Sequence, residues 1–165
     1  SLDRLRDRLR EADRGILLAL NARARLPRHP APTWIPPDPR LPSPPIAELL
    51  LAMAPAGETD PAAALAPNHE LASALADRQR LAAEIADEKM RLQPNAFHTV
   101  FDAGDRDRLL ALLTDLPAEL RLLETIRATA AELAPHLPPG IAPLLWREYI
   151  IPWTRQTEAA QLLEP

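Results

Sequence analysis

Apolar residues in the first segment fall at Leu2, Leu5, Leu9, Ala12, Ile16, Ala19 and Leu26, in steps of three, four or seven, with Asp3, Asp7, Arg8 and Arg10 between them. That period predicts a helix over residues 2–26 lying lengthwise on another helix. Pro27 opens a stretch to Pro67 that holds 12 of the 20 prolines, and a residue without an N–H cannot continue a helix. Only 46–54 (IAELLLAMA) has the apolar density of a short helix there, so 27–67 reads as an extended insertion carrying one helical piece. Asn68 is a good N-cap for a helix running to about Leu92, whose seam reads Leu71, Leu75, Arg78, Ala82, Ile85, Lys89, Leu92. Further helices are expected over 105–116, 117–134 and 141–163, the last kinked or bulged at Pro152.

Composition supports an all-α chain. Ala, Leu, Arg and Glu recur, aromatics make up 4% and β-branched residues are few, so strands have little to be built from. With 165 residues, 47% of them hydrophobic, the chain reads as one domain with one core. A net charge of −4 and the lack of a concentrated basic run argue against a nucleic-acid partner. The absence of Cys removes disulfides and thiolate chemistry, and the four His residues lie far apart, so no metal is expected. No stretch approaches a membrane span and the N-terminal segment is charged, which reads as a cytoplasmic protein.

Arg78 and Lys89 stand on an otherwise apolar seam, eleven residues and so about 16 Å apart at ~1.5 Å per residue. Ala82 and Ile85 form a shallow floor between them. Cations on a buried stripe need carboxylates from other helices or an anionic ligand; snorkelling side chains and structural ion pairs are the plainer alternatives. Lysine usage adds weight to a ligand, because Lys89 is the single lysine beside eighteen arginines. A compact ammonium meets one oxygen at close range in a way a planar guanidinium does not.

These residues resemble the all-helical chorismate mutases, whose first helix follows roughly LxxLRxxIDxxDxxLLxLLxxRxxLAxxIAxxK. Leu2 to Arg6, Asp13 and Ile16 to Leu20 are similar to its beginning, and 71–89 (LASALADRQRLAAEIADEK) to its remainder, with the spacing from arginine to lysine kept. Residues 100–107 resemble the acidic loop and the start of the second helix, with an extra residue between Asp102 and Arg106 and with Asp107 in place of Glu. Residues 145–158 resemble the family's last helix, LFREIIxxSxxxQ, if a bulge near Pro152 absorbs one residue. An internal echo, Leu20 to Leu26 against Leu75 to Leu81, is either chance similarity of helical sequence or the mark of one long helix split by the insertion, which would leave Arg23 as a reserve for the role of Arg78.

The resemblance implies a long-helix bundle, an entwined homodimer, no cofactor and a small dianionic substrate, chorismate. It implies that Arg78 and Arg6 grip the two carboxylates, Arg6 reaching in from the other subunit. Lys89 would face the ether oxygen and a carboxylate, Glu158 the ether oxygen and Asp107 the ring hydroxyl, with Arg106 and Asp102 in support. Two readings stand beside it: an isochorismate-pyruvate lyase, which would use nearly the same cations, and a non-catalytic helical binding or regulatory module.

Overall fold

The computed structural model describes residues 1–26, 40–53 and 61–163, and every regular element among them is a helix. In chain order these are α1 (Leu2–Ala24), α2 (Ile46–Met53), α3 (Pro61–Leu92), α4 (Pro94–Ala103), α5 (Arg106–Leu113), α6 (Leu116–Leu133), α7 (Ile141–Leu145), a π-helical turn (Trp146–Ile150) and α8 (Ile151–Leu163). The expected all-α class holds. The expected extended course of the Pro-rich insertion falls largely outside the described residues; its short helix is α2.

The two longest helices pack side by side and antiparallel. Arg8 meets Glu84, Asp13 meets Arg78, and Arg23 meets Asn68, so as one number rises the other falls. This overturns the expectation that 2–26 and 68–92 are halves of one interrupted helix. Once Pro27 stops α1, the chain returns and α3 runs back along it. Leu17 and Leu20 of α1, Leu71 and Leu75 of α3, Leu49 of α2, and Trp146 and Ile150 of the π turn are fully buried in one core. Each such side chain contributes roughly 1.5–3 kcal/mol on burial. A second core gathers Ala86, Phe97, Val100, Leu109, Leu113 and Ala159. Along α3 the first core ends at Leu75 and the second begins at Ala86, and Arg78 lies in the gap.

Three features differ from the sequence reading. Helix α3 begins at Pro61 rather than after Asn68, because Pro suits a first turn and the Ala-rich residues behind it carry the helix through Pro67 at the loss of one backbone bond. Asn68 therefore caps nothing; its Oδ1 accepts from Arg23 Nε at 2.9 Å. Leu92, assigned to the buried seam, is 51% exposed at the helix end. Helix α4 was not expected: Pro94 ends α3 but also occupies the first turn of a new helix that buries Phe97 and Val100. Gly104 at φ 63° closes it, and Asp105 accepts from Arg108 N to cap α5.

The bulge expected at Pro152 is present. Ile151 N donates to Trp146 O, a five-residue bond, just before the residue that has no N–H to give.

Gly15 lies mid-helix in α1, and a Cβ built there would meet Ala74 Cβ at 3.5 Å, an ordinary contact. Gly15→Ala should therefore stabilise the protein by about 0.5–1 kcal/mol through reduced chain entropy. Urea denaturation checks this; a loss of stability would mean that α1 and α3 pack closer than described.

Candidate functional site

The gap between the two cores is polar and built around Arg78, which is 1% exposed. Its Nη1 donates to Asp13 Oδ1 and its Nε to Thr154 Oγ1 at 3.2 Å. Asp13 Oδ1 also accepts from Trp146 Nε1 at 3.0 Å, and Thr154 Oγ1 donates to Ile150 O at 2.7 Å. Burial pushes the Asp13 carboxyl up, opposed by the Arg78 charge and both hydrogen bonds. Asp13 Oδ2 has no partner.

The π turn makes this arrangement possible. Eight residues of regular α-helix would leave Trp146 and Thr154 about 80° apart around the axis, whereas absorbing one residue in the turn brings them within about 20°. Both then face Asp13 and Arg78. Glu158, four residues beyond Thr154, continues the same face.

Three turns along α3 from Arg78, Lys89 Nζ donates to Glu158 Oε2 at 2.8 Å and to Leu113 O at 2.7 Å. That carbonyl ends α5, where the helix dipole favours a cation. Glu158 is nearly buried, and burial raises its pKa above the ordinary glutamate range although Lys89, and more weakly Arg78, pull the other way.

Arg78, Lys89, Glu158 and Arg6 line one cavity of about 550 Å³, within the range of small-molecule sites. Arg6 arrives there from the same chain, because the antiparallel course of α1 sets it across from Ile85 and Lys89. Arg6 therefore reaches this cavity without the second subunit that the resemblance implied would supply it. The far wall is the N-terminal part of α6, from its cap Asp115 to Thr125. Asp115 accepts from Arg6 Nη2 at 3.0 Å, and Glu119 accepts from Arg155 through both oxygens at 2.9 and 2.5 Å.

The remaining expected site residues lie elsewhere. Arg23 is buried in the α1/α3 seam, held by Asn68 and by Leu26 O, and its burial lowers its pKa. It does not line the cavity. Neither do Asp102, Arg106 and Asp107, whose side chains are exposed around the α4–α5 corner. That corner is shaped by Gly104 and the Asp105 cap, so its resemblance to a site loop reflects helix punctuation. Sequence reasoning gave no site role to Asp13, Thr154, Asp115, Glu119 or Arg155. Asp13 was recognisable, since it interrupts the apolar stripe of α1 as Arg78 interrupts that of α3. Among the described residues no group of three or more His, Asp or Glu is placed to hold a metal ion, and no helix is long and apolar enough to cross a membrane.

The bundle that encloses this cavity has a known architecture, the all-helical fold of the chorismate mutases. The chloroplast chorismate mutase of Zea mays superposes with a TM-score of 0.80 at 22% identity, over 99% of this chain and 94% of that one. The Aro7p chorismate mutase of Candida albicans, in complex with L-Trp, gives 0.78 at 16% identity over 99% and 90%. AtCM1 with phenylalanine in its allosteric site gives 0.79 at 16% identity over 99% and 96%. No protein-family model and no curated protein sequence matches the chain. At these identities the likeness establishes the fold.

Removing one partner of a buried ion pair strands the other charge, so Asp13→Ala should destabilise the protein by about 3–5 kcal/mol. Trp146→Phe, which deletes one hydrogen bond to a charged group, should cost about 1.5–3 kcal/mol. Urea midpoints of the two variants test the order; equal or negligible losses would show that the network does not hold the helices together.

Proposed function

We propose that this protein is a chorismate mutase, an isomerase of aromatic amino-acid biosynthesis that rearranges chorismate to prephenate. The observation that carries the proposal is the convergence of Arg6, Arg78, Lys89 and Glu158 on one cavity, in a chain with the chorismate mutase fold. The reaction is intramolecular: one carbon–oxygen bond breaks as one carbon–carbon bond forms, and no group leaves. It needs no nucleophile or cofactor. It needs a cavity that holds a dianion in a compact conformer and stabilises charge on the ether oxygen as that bond breaks.

Arg6 and Arg78 suit the two carboxylates. A guanidinium carries five N–H groups, so Arg78, held by Asp13 and Thr154, still has donors for a ligand while its position is fixed. Lys89 and Glu158 are already 2.8 Å apart, so both can meet a single oxygen. Lys89 meets it as a cation and Glu158 as a neutral acid, the form its burial favours. Glu119 replaces Asp107 as acceptor for the ring hydroxyl, since it lines the cavity and Asp107 does not. Arg155 holds its carboxylate in place. Assembly as a homodimer would then give two complete sites rather than two shared ones.

Loss of chorismate absorbance, with the product identified as prephenate rather than as the fragments a lyase would release, is the direct test. The pH dependence follows from Glu158. Its raised pKa means that the donating form is complete at low pH and is lost as pH rises through that pKa. Activity should fall correspondingly, and Glu158→Gln, which cannot ionise, should flatten the profile. A glutamine variant with the parental profile would remove Glu158 from the reaction.

A site within one chain makes a second prediction. Arg6→Ala and Lys89→Ala should each lower kcat/KM by roughly 100-fold or more, about 2.7 kcal/mol of transition-state stabilisation. Unfolding the two variants together and refolding the mixture should restore nothing, because every chain carries one damaged site. Recovery to about a quarter of parental activity, the value that random pairing gives for shared sites in a two-fold dimer, would show that Arg6 acts across an interface.

A further inference from the structure

Four cations that line the cavity, Arg6, Arg78, Lys89 and Arg155, are paired with carboxylates, and the four pairs are held very unequally. Arg78 and Asp13 are 1% and 3% exposed and locked further by Trp146 and Thr154. Lys89 and Glu158 are 17% and 6% exposed. Arg155 holds both oxygens of Glu119. The Arg6–Asp115 pair rests on one contact of 3.0 Å, and its side chains are 35% and 42% exposed. A pair of that kind adds little to stability and exchanges readily.

Asp115 divides its work between its two oxygens. Oδ1 accepts from Ala118 N at 3.0 Å and caps α6, while Oδ2 holds Arg6. Capping requires an acceptor oxygen but no charge, and Asn or Ser serves as well as Asp. The cap therefore survives loss of the charge, which beyond its interaction with the α6 dipole is felt by Arg6 and by whatever enters the cavity.

We infer that Asp115 is an internal competitor, a carboxylate that occupies Arg6 in place of a ligand carboxylate and so sets the affinity of the site for dicarboxylates. The inference rests on the reading of the cavity as a dianion site. An entering ligand must take Arg6 from Asp115 Oδ2, and it then sits beside the displaced anion. Both effects weaken binding, and both disappear when the charge is removed but the cap is kept.

The test is calorimetric titration with malonate, a small unreactive dicarboxylate, at low ionic strength. Asp115→Asn should tighten malonate by about fivefold, the scale of releasing Arg6 from a part-exposed ion pair. Asp115→Ser, also an uncharged cap, should do the same and guards against a defect particular to the amide. In an Arg6→Gln background the gain from Asp115→Asn should fall below twofold. Unchanged or weaker malonate binding in both charge-free variants overturns the inference, as does a full gain without Arg6. Malonate binding does not require turnover. Protein that binds malonate as described but leaves chorismate intact would therefore count against the mutase reading alone.

Discussion

The buried ion pair between Asp13 and Arg78 is the contact on which this structure turns. It joins α1 to α3, and through Trp146 and Thr154 it joins both to the last helix, so three separated segments meet at one pair of charges. Desolvating two charges costs several kcal/mol for each, and their attraction repays this only when the remaining donors and acceptors are met. Here Asp13 Oδ1 accepts two donors and Arg78 gives two, while Asp13 Oδ2 is left without a partner. A hydrophobic core would not tolerate that orphaned oxygen, whereas a pair placed to fix a guanidinium at the wall of a cavity has a reason to carry it.

The rest of the cavity repeats the device with decreasing rigidity. Lys89 lies between Glu158 and the end of α5, Arg155 is gripped by Glu119, and Arg6 rests on Asp115. Four of the cations that line the cavity are in this way each set against an acidic side chain. The pairing also grades the site from fixed to exchangeable, from the Arg78 end of α3 to the α6 rim. Arg78 is buried with its carboxylate, whereas Arg6 and its carboxylate are left near water.

Much of this was written in local sequence. The period of apolar residues marks α1 and α3, and the rarity of lysine together with its place on the seam singles out Lys89. The backbone chemistry of Pro152 announces the bulge that aligns Trp146, Thr154 and Glu158. Local rules failed where one residue type serves two purposes. Pro94 both ends a helix and begins one, and Asn68 resembles a cap yet binds Arg23 from inside a helix. The short run from Asp102 to Asp107 looked like a site loop, whereas Gly104 and Asp105 make it a helix stop and a helix start. Glu119 and Arg155 carried no signal, since charged residues on amphipathic helices are ordinary, and only the meeting of α6 with α8 gives them a role.

The largest difference between sequence and structure is the direction of α1, and it has the widest consequence. Leucine stripes on two helices are compatible with several registers, because sliding one helix past the other by a turn exchanges one apolar contact for another. Polar contacts are less forgiving. A slip of one turn, about 5.4 Å, would part Asp13 from Arg78, Arg23 from Asn68 and Arg8 from Glu84 together. Arg78, parted from its carboxylate, would then be a buried unpaired charge, at a cost of several kcal/mol. Arg23, which lies outside the cavity, thus acts on it from a distance. By pinning the far end of the α1/α3 pair it keeps Arg6, at the near end, opposite Lys89. The internal echo that made Arg23 and Arg78 look like rivals for one role instead marks two anchors of a single register, and only one of them opens onto the cavity.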